Sequence, residues 1–170
     1  MTSHTRHFLI VLAGCGAALA GPARAVTQNA SVKATVVKPL TLASVQNLDL
    51  GTITLQTGLW SGATVGISRN GVLSCGNPNT ICSGVAQPAT YKVTGSNKQV
   101  VLISVPSVTL VNQSDPTQKL TMTVDSPGQL LLTSSGEPGV NFNLGGSITL
   151  NSTTAAGTYS GTFNVTVDYQ

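Results

Sequence analysis

Residues Gly157–Gln170 read GTYSGTFNVTVDYQ. From Tyr159 onward the odd positions are Tyr159, Gly161, Phe163, Val165, Val167 and Tyr169, and the even positions around them are Thr158, Ser160, Thr162, Asn164, Thr166 and Asp168. Successive side chains of an extended strand point to opposite faces, so a period of two describes a strand with one face for a core and one for water. A helix would spread these apolar residues around its circumference, and the β-branched and aromatic content also favours a strand. Burying its five large apolar side chains at about 1.5–3 kcal/mol each contributes on the order of 10 kcal/mol gross, which places this strand in the core of the domain.

A second alternating stretch lies near the other end. Gln28–Val37 (QNASVKATVV) puts Ala30, Val32, Ala34 and Val36 on one side and Ser31, Lys33 and Thr35 on the other, and Pro39 separates it from the next strand material. That material is Leu40–Leu42 and Leu48–Leu55 (LDLGTITL), with a bend expected at Gly51. Thr64–Ser68 and Val72–Ser74 flank Arg69-Asn70-Gly71, a strong hairpin signature. Thr90–Thr94 and Gln99–Val105 are expected to pair through Gly95–Lys98, with Val108–Val111 continuing the second beyond Pro106. Leu120–Val124, Gln129–Thr133, Val140–Leu144 and Ser147–Leu150 complete the set, with Gly145-Gly146 expected to break the last two apart. No helical periodicity of useful length intervenes. The expected fold is all-β, an antiparallel β-sandwich of about eight to ten short strands.

The start of the chain stands outside that fold. Arg6 and His7 precede an apolar run from Phe8 to Ala20, and Gly21–Ala25 (GPARA) ends in a small-x-small site, the pattern of a secretory signal peptide over residues 1–25. A competing reading takes Leu12-Ala13-Gly14-Cys15 as a lipobox, which would leave a lipidated Cys15 and an outer-membrane anchor. Either way the chain is exported, and residues 26–170 form a single domain with residues 26–38 as its N-terminal strand or extension. Both histidines, His4 and His7, lie in the leader, and the remaining six basic and five acidic residues are scattered. No basic footprint for nucleic acid results.

Cys75 and Cys82 sit in SCGNPNTICSG, residues 74–84. In an exported protein this pair reads as a disulfide across a loop, worth about 2.5 kcal/mol in the chain-entropy picture, whereas a metal site would need further ligands and no histidine remains. The lack of histidine also excludes Ser-His-Asp and Cys-His catalysis, no G-x-S-x-G elbow or phosphate-binding glycine loop occurs, and the five carboxylates fall in separate segments. The expectation is therefore a protein that is not an enzyme and carries no cofactor. Trp60, the single tryptophan, is a candidate platform for a sugar ring, or else a cap over one end of the sandwich. The Asn-x-Ser/Thr triplets at Asn29, Asn112, Asn151 and Asn164 carry no weight in a chain this rich in those residues.

Ala34–Leu42 followed by LDLGTI, the strand Tyr91–Thr94, and the ending from Ala156 through Tyr169 resemble a bacterial secreted family catalogued as a domain of unknown function, close to spore-coat U proteins and the subunits of chaperone/usher fimbriae. The ending is the most pointed likeness: a penultimate aromatic (Tyr169), alternating apolar residues before it, and a glycine fourteen residues from the end (Gly157). The resemblance implies an Ig-like, pilin-like sandwich whose C-terminal strand borders an open groove. A periplasmic chaperone would fill that groove first, and after handover at an outer-membrane usher the N-terminal extension of the next subunit would replace it. The donor residues would be Ala30, Val32, Ala34 and Val36, and the acceptor strand would carry Gly157, Tyr159, Gly161, Phe163, Val165, Val167 and Tyr169. Head-to-tail use of two different surfaces makes a fibre. Two features depart from the fimbrial pattern: the small donor residues Ala30 and Ala34, and a disulfide loop in mid-chain. The alternative is that Gln28–Val37 is the first strand of its own sandwich, in a self-contained secreted or surface module for adhesion, glycan binding or coat formation.

Overall fold

The computed structural model describes residues 24–170. The leader, including Cys15, lies outside the described residues except for Arg24 and Ala25. Val36–Gln170 is one compact unit. Among the described residues there is no helix, and thirteen strands follow one another: β1 (Thr41–Gln46), β2 (Thr52–Leu55), β3 (Ala63–Ile67), β4 (Leu73–Ser74), β5 (Thr80–Ser83), β6 (Ala89–Thr94), β7 (Val100–Ser104), β8 (Val108–Asn112), β9 (Lys119–Asp125), β10 (Gln129–Leu131), β11 (Val140–Leu150), β12 (Tyr159–Ser160) and β13 (Thr166–Tyr169). The protein is an all-β antiparallel sandwich, with more and shorter strands than the eight to ten expected.

The larger sheet runs β1-β6-β11-β9-β8-β12, with β3 also on β11 and β4 on β3. The 11-residue β11 organises it: Val140–Leu144 pair with β6, while Gly146–Leu150 pair with β3. The opposite layer is split into the sheet β10-β7-β13 and the ribbon β2-β5. The core is correspondingly double. One cluster packs Ala89 and Val93 of β6 and Phe142 and Leu144 of β11 against Val101 and Ile103 of β7, with Leu132. The other gathers Val65, Val108, Leu110, Met122, Ile148 and Leu150, with Ile53, Leu55 and Trp60 at its margin. Leu48, Val124 and Phe163 touch both.

Several expectations hold and several are corrected. Asn70-Gly71 turns β3 into β4, with Ile67 opposite Leu73 and Gly71 at φ +81°. Gly51 bends the chain into β2 at φ +71°. The expected β6–β7 pair does not form: β6 bonds to β1 and β11, and β7 to β10 and β13. The short Gly95–Lys98 connection is an arch between layers, with Lys98 at φ +61°, and it brings fully buried Val93 and Val101 into one cluster. Pro106, which has no N–H to give a ladder, marks a similar switch, so that β8 lies in the other sheet from β7 instead of extending it. Gln28–Val37 carries no strand, and Val32 and Val36 are 94% and 92% exposed.

Gly145-Gly146 does not end β11. The pair lies inside it because the strand passes against the turn after β3: a Cβ on Gly145 would overlap the Ile67 carbonyl oxygen and stand 2.6 Å from the Arg69 nitrogen. Backbone atoms cannot rotate away as a side chain would, so Gly145→Ala should lower unfolding free energy by about 2–3 kcal/mol in urea titration. Gly71→Ala, strained in φ but with nothing within 4 Å of the new methyl, should cost only about 1 kcal/mol.

Candidate functional site: an apolar groove between two strand edges

One wall of the groove is residues 48–55. Leaving β1, the chain makes a single bridge between Asp49 and Gln87, and the Asp49 carboxylate accepts the Gly51 N–H at 2.8 Å. At Gly51 the backbone comes so close to Ser83 that a Cβ would lie 2.6 Å from its carbonyl oxygen, which lets β2 settle onto β5 with Ile53 opposite Cys82. Thr52 and Thr54 face solvent, while Ile53 and Leu55 are half-buried over the second cluster. Cys82 is disulfide-bonded to Cys75, and both pack on that cluster, so the cysteine loop stands behind this wall as a covalent brace.

The other wall is residues 154–163. Its anchor is Asn112, 1% exposed, whose Nδ2 donates to the Ala156 carbonyl at 3.0 Å while its Oδ1 accepts the N–H groups of Ser114 at 2.9 Å and Asp115 at 3.3 Å. A buried amide with both ends satisfied fixes the chain it touches. Gly157, at φ +147°, lies flat on that amide, with no room for a Cβ. Tyr159 pairs with Asn112, and its hydroxyl donates to the Ala155 carbonyl at 2.9 Å. Gly161 crosses over β8, where a Cβ would lie 2.6 Å from the Thr109 carbonyl oxygen.

Between the walls lies a groove of about 800 Å³ floored by Leu110, Met122, Ile148 and Leu150. A smaller hollow of about 300 Å³ continues it past Leu48, Gly161 and Phe163 to the ring of Tyr91. Asp49 is the one charged residue lining the groove. Among the described residues β2 pairs only with β5 and β12 only with β8, so the backbone edges on either side have no partner strand. The site therefore offers an apolar floor and, along both rims, amide and carbonyl groups spaced as in a sheet edge. Among the described residues no three His, Cys, Asp or Glu side chains are grouped to hold a metal. The Asp115 carboxyl is held below the usual carboxylate range by its hydrogen bonds from the hydroxyl and amide of Thr117, in an exposed turn away from the groove.

The residues singled out from the sequence divide accordingly. The single C-terminal strand expected is two strands in two sheets, β12 on β8 and β13 on β7, joined by an extended crossing at 161–165. Alternation survives the switch: Tyr159, Phe163, Val165, Val167 and Tyr169 are half-buried, while Ser160, Thr162, Asn164, Thr166 and Asp168 are exposed. Phe163 packs beside Tyr91, ring centroids 6.3 Å apart, and Val165, Val167 and Tyr169 pack on the first cluster. Trp60 caps the second cluster, and its ring N–H is taken by the Gln56 carbonyl at 3.0 Å, so the donor that a sugar platform would use is engaged internally. Asn112 stands in the sequence as one of several chance triplets, although VNQSDPT, with Asn followed by Ser, Asp and Pro, is the composition of an Asx turn.

Gly157→Ala should drive a methyl into the Asn112 amide and impose an unfavourable φ. A loss of about 1–3 kcal/mol in thermal or urea unfolding is expected, with the same fold by circular dichroism.

Nothing matches this chain among the curated proteins or among the solved structures. A family described as "Domain of unknown function (DUF4402)" matches residues 40–169, which takes in β1 through β13 and both walls of the groove and leaves the alternating segment at 28–37 outside. That match spans more than half of the chain, which thus belongs to the DUF4402 family.

Proposed function

We propose that this chain is an exported structural subunit of a fimbria-like assembly, joined by strand addition, with residues 28–37 of one copy occupying the groove of the next. The observation that carries this reading is the pairing of needs in the groove. Its apolar floor requires apolar side chains, and its two rims require backbone hydrogen-bond partners. A single extended strand, apolar on one side, meets both requirements at once.

The segment 28–37 has that character. Its alternate residues Ala30, Val32, Ala34 and Val36 are apolar, it carries no strand of its own, and Val32 and Val36 are solvent-exposed. Ten extended residues reach about 33 Å, against at most about 27 Å for the eight residues of the 48–55 wall. The donor comes from another copy because of register. A reversal at Lys38-Pro39 would set residue 36 opposite about 41, 32 opposite about 45 and 30 opposite about 47, by the alignment rule of an antiparallel pair. Val32 and Val36 would then lie along β1, short of the wall that needs covering. Two different surfaces used head to tail propagate without closing. Exposed edges of this kind are an aggregation hazard during export, which is the reason a periplasmic chaperone and an outer-membrane usher belong to this reading.

The test is Val32→Asp and Val36→Asp, singly and together, in the exported full chain. Because both side chains are exposed in the single copy, its melting temperature should stay within about 1 °C, a surface-substitution effect. High-mass, heat-resistant species should disappear from unboiled gels, since a carboxylate cannot enter the apolar floor. A substantial fall in single-copy stability would instead support a self-contained sandwich completed by its own first strand.

A further inference from the structure

The hydroxyl of Tyr169 is used in a way that the groove does not explain. It accepts the Ser96 N–H at 2.8 Å and donates to the Lys38 carbonyl at 2.6 Å, while the Lys38 N–H donates to the Ser96 hydroxyl at 2.6 Å. Both main-chain groups of Lys38 are therefore tied, one to the arch between β6 and β7 and the other to the penultimate residue of the chain. Lys38, the residue that follows the segment 28–37, is held in this way. Pro39 has no N–H to offer, and Leu40 is the first side chain to pack on the first cluster. Gly95 makes room for the arrangement: a Cβ there would stand 2.5 Å from the Tyr169 hydroxyl and 2.8 Å from Leu40 and Leu132 side-chain atoms.

We propose that the Tyr169 hydroxyl is a positioning group that pins the root of the N-terminal extension to the body at Lys38, so that only residue 37 separates the pin from the last donor residue, Val36. Its consequence for a fibre rests on the strand-addition reading. With one residue between the last donor side chain and a fixed anchor, the joint between neighbouring subunits has almost no free chain in which to bend. A subunit whose anchor is loosened keeps its donor residues and its groove but gains a swivel. Packing of the Tyr169 ring on the first cluster is a separate contribution, and Tyr169→Phe retains it.

The test uses the full exported chain with Tyr169→Phe, and Ser96→Ala as a second variant that leaves the tyrosine intact. Amide hydrogen exchange is followed at Lys38, Ser96, Val101–Ile103 and Phe142–Leu144. Exchange at Lys38 should quicken about tenfold in both variants, the effect of losing one or two hydrogen bonds at a local opening, while the core amides keep their wild-type rates. Unchanged exchange at Lys38 in Tyr169→Phe overturns the pin even where Ser96→Ala quickens it, because Ser96→Ala removes the direct acceptor of the Lys38 N–H. Assemblies of wild type and Tyr169→Phe are then compared by electron microscopy, with equal yield and a wider spread of inter-subunit angles expected in the variant. Equal spreads overturn the role at the joint. Should neither protein assemble, strand addition fails, while the exchange rates still decide whether Tyr169 pins Lys38.

Discussion

The inward face of a strand is stable only against something dry, and among the described residues the second cluster lies open along the line between residues 48–55 and 154–163. The same line carries the backbone edges of β2 and β12, each bonded on one side only among the described residues. The two deficits coincide, and this narrows what can answer them. A small apolar molecule would satisfy Leu110, Met122, Ile148 and Leu150 but leave both edges unbonded, and a polar peptide would do the reverse. Each buried valine contributes about 1.5–3 kcal/mol and each backbone pairing about 0.5–1.5 kcal/mol net, so a strand combining several of each outweighs either partial solution.

Much of the architecture could be read from local pattern. The alternation from Tyr159 to Tyr169 identified inward and outward faces correctly even though the ladder partner changes from β8 to β13's neighbour β7 midway, because an extended backbone alternates whether or not it is bonded. The Asn70-Gly71 hairpin and the Cys75–Cys82 disulfide follow from turn chemistry and from loop composition, which are equally local. The layer that each strand joins could not be read in the same way. Gly95–Lys98 is as suitable for an arch as for a hairpin, and the choice is made by β1 and β11, which already flank β6. Gly145-Gly146 has the composition of a break, and only the approach of the Ile67–Arg69 backbone reveals it as a site of contact.

The candidate site was legible in part. Its C-terminal wall was visible as a glycine followed by alternation, yet the residue that holds that wall, Asn112, is more than forty positions away and looks like an ordinary surface asparagine in the sequence. The opposite wall has in sequence only the look of strand material, since Gly51 shifts the phase of Leu48, Leu50, Ile53 and Leu55 and conceals that they share a destination. Gln28–Val37 illustrates the limit of periodicity: the pattern records that one side is suited to a dry surface, and it is silent on whose surface that is.

The length of β11 has a thermodynamic consequence. Since this one strand lines both clusters, and Leu48, Val124 and Phe163 bridge them, neither cluster can come apart without exposing apolar surface in the other. Melting should therefore be cooperative across the two clusters. By mass action, a ligand that occupies the cleft lends its binding free energy to every residue that is exposed only when the whole body opens, including those of the first cluster that it never touches.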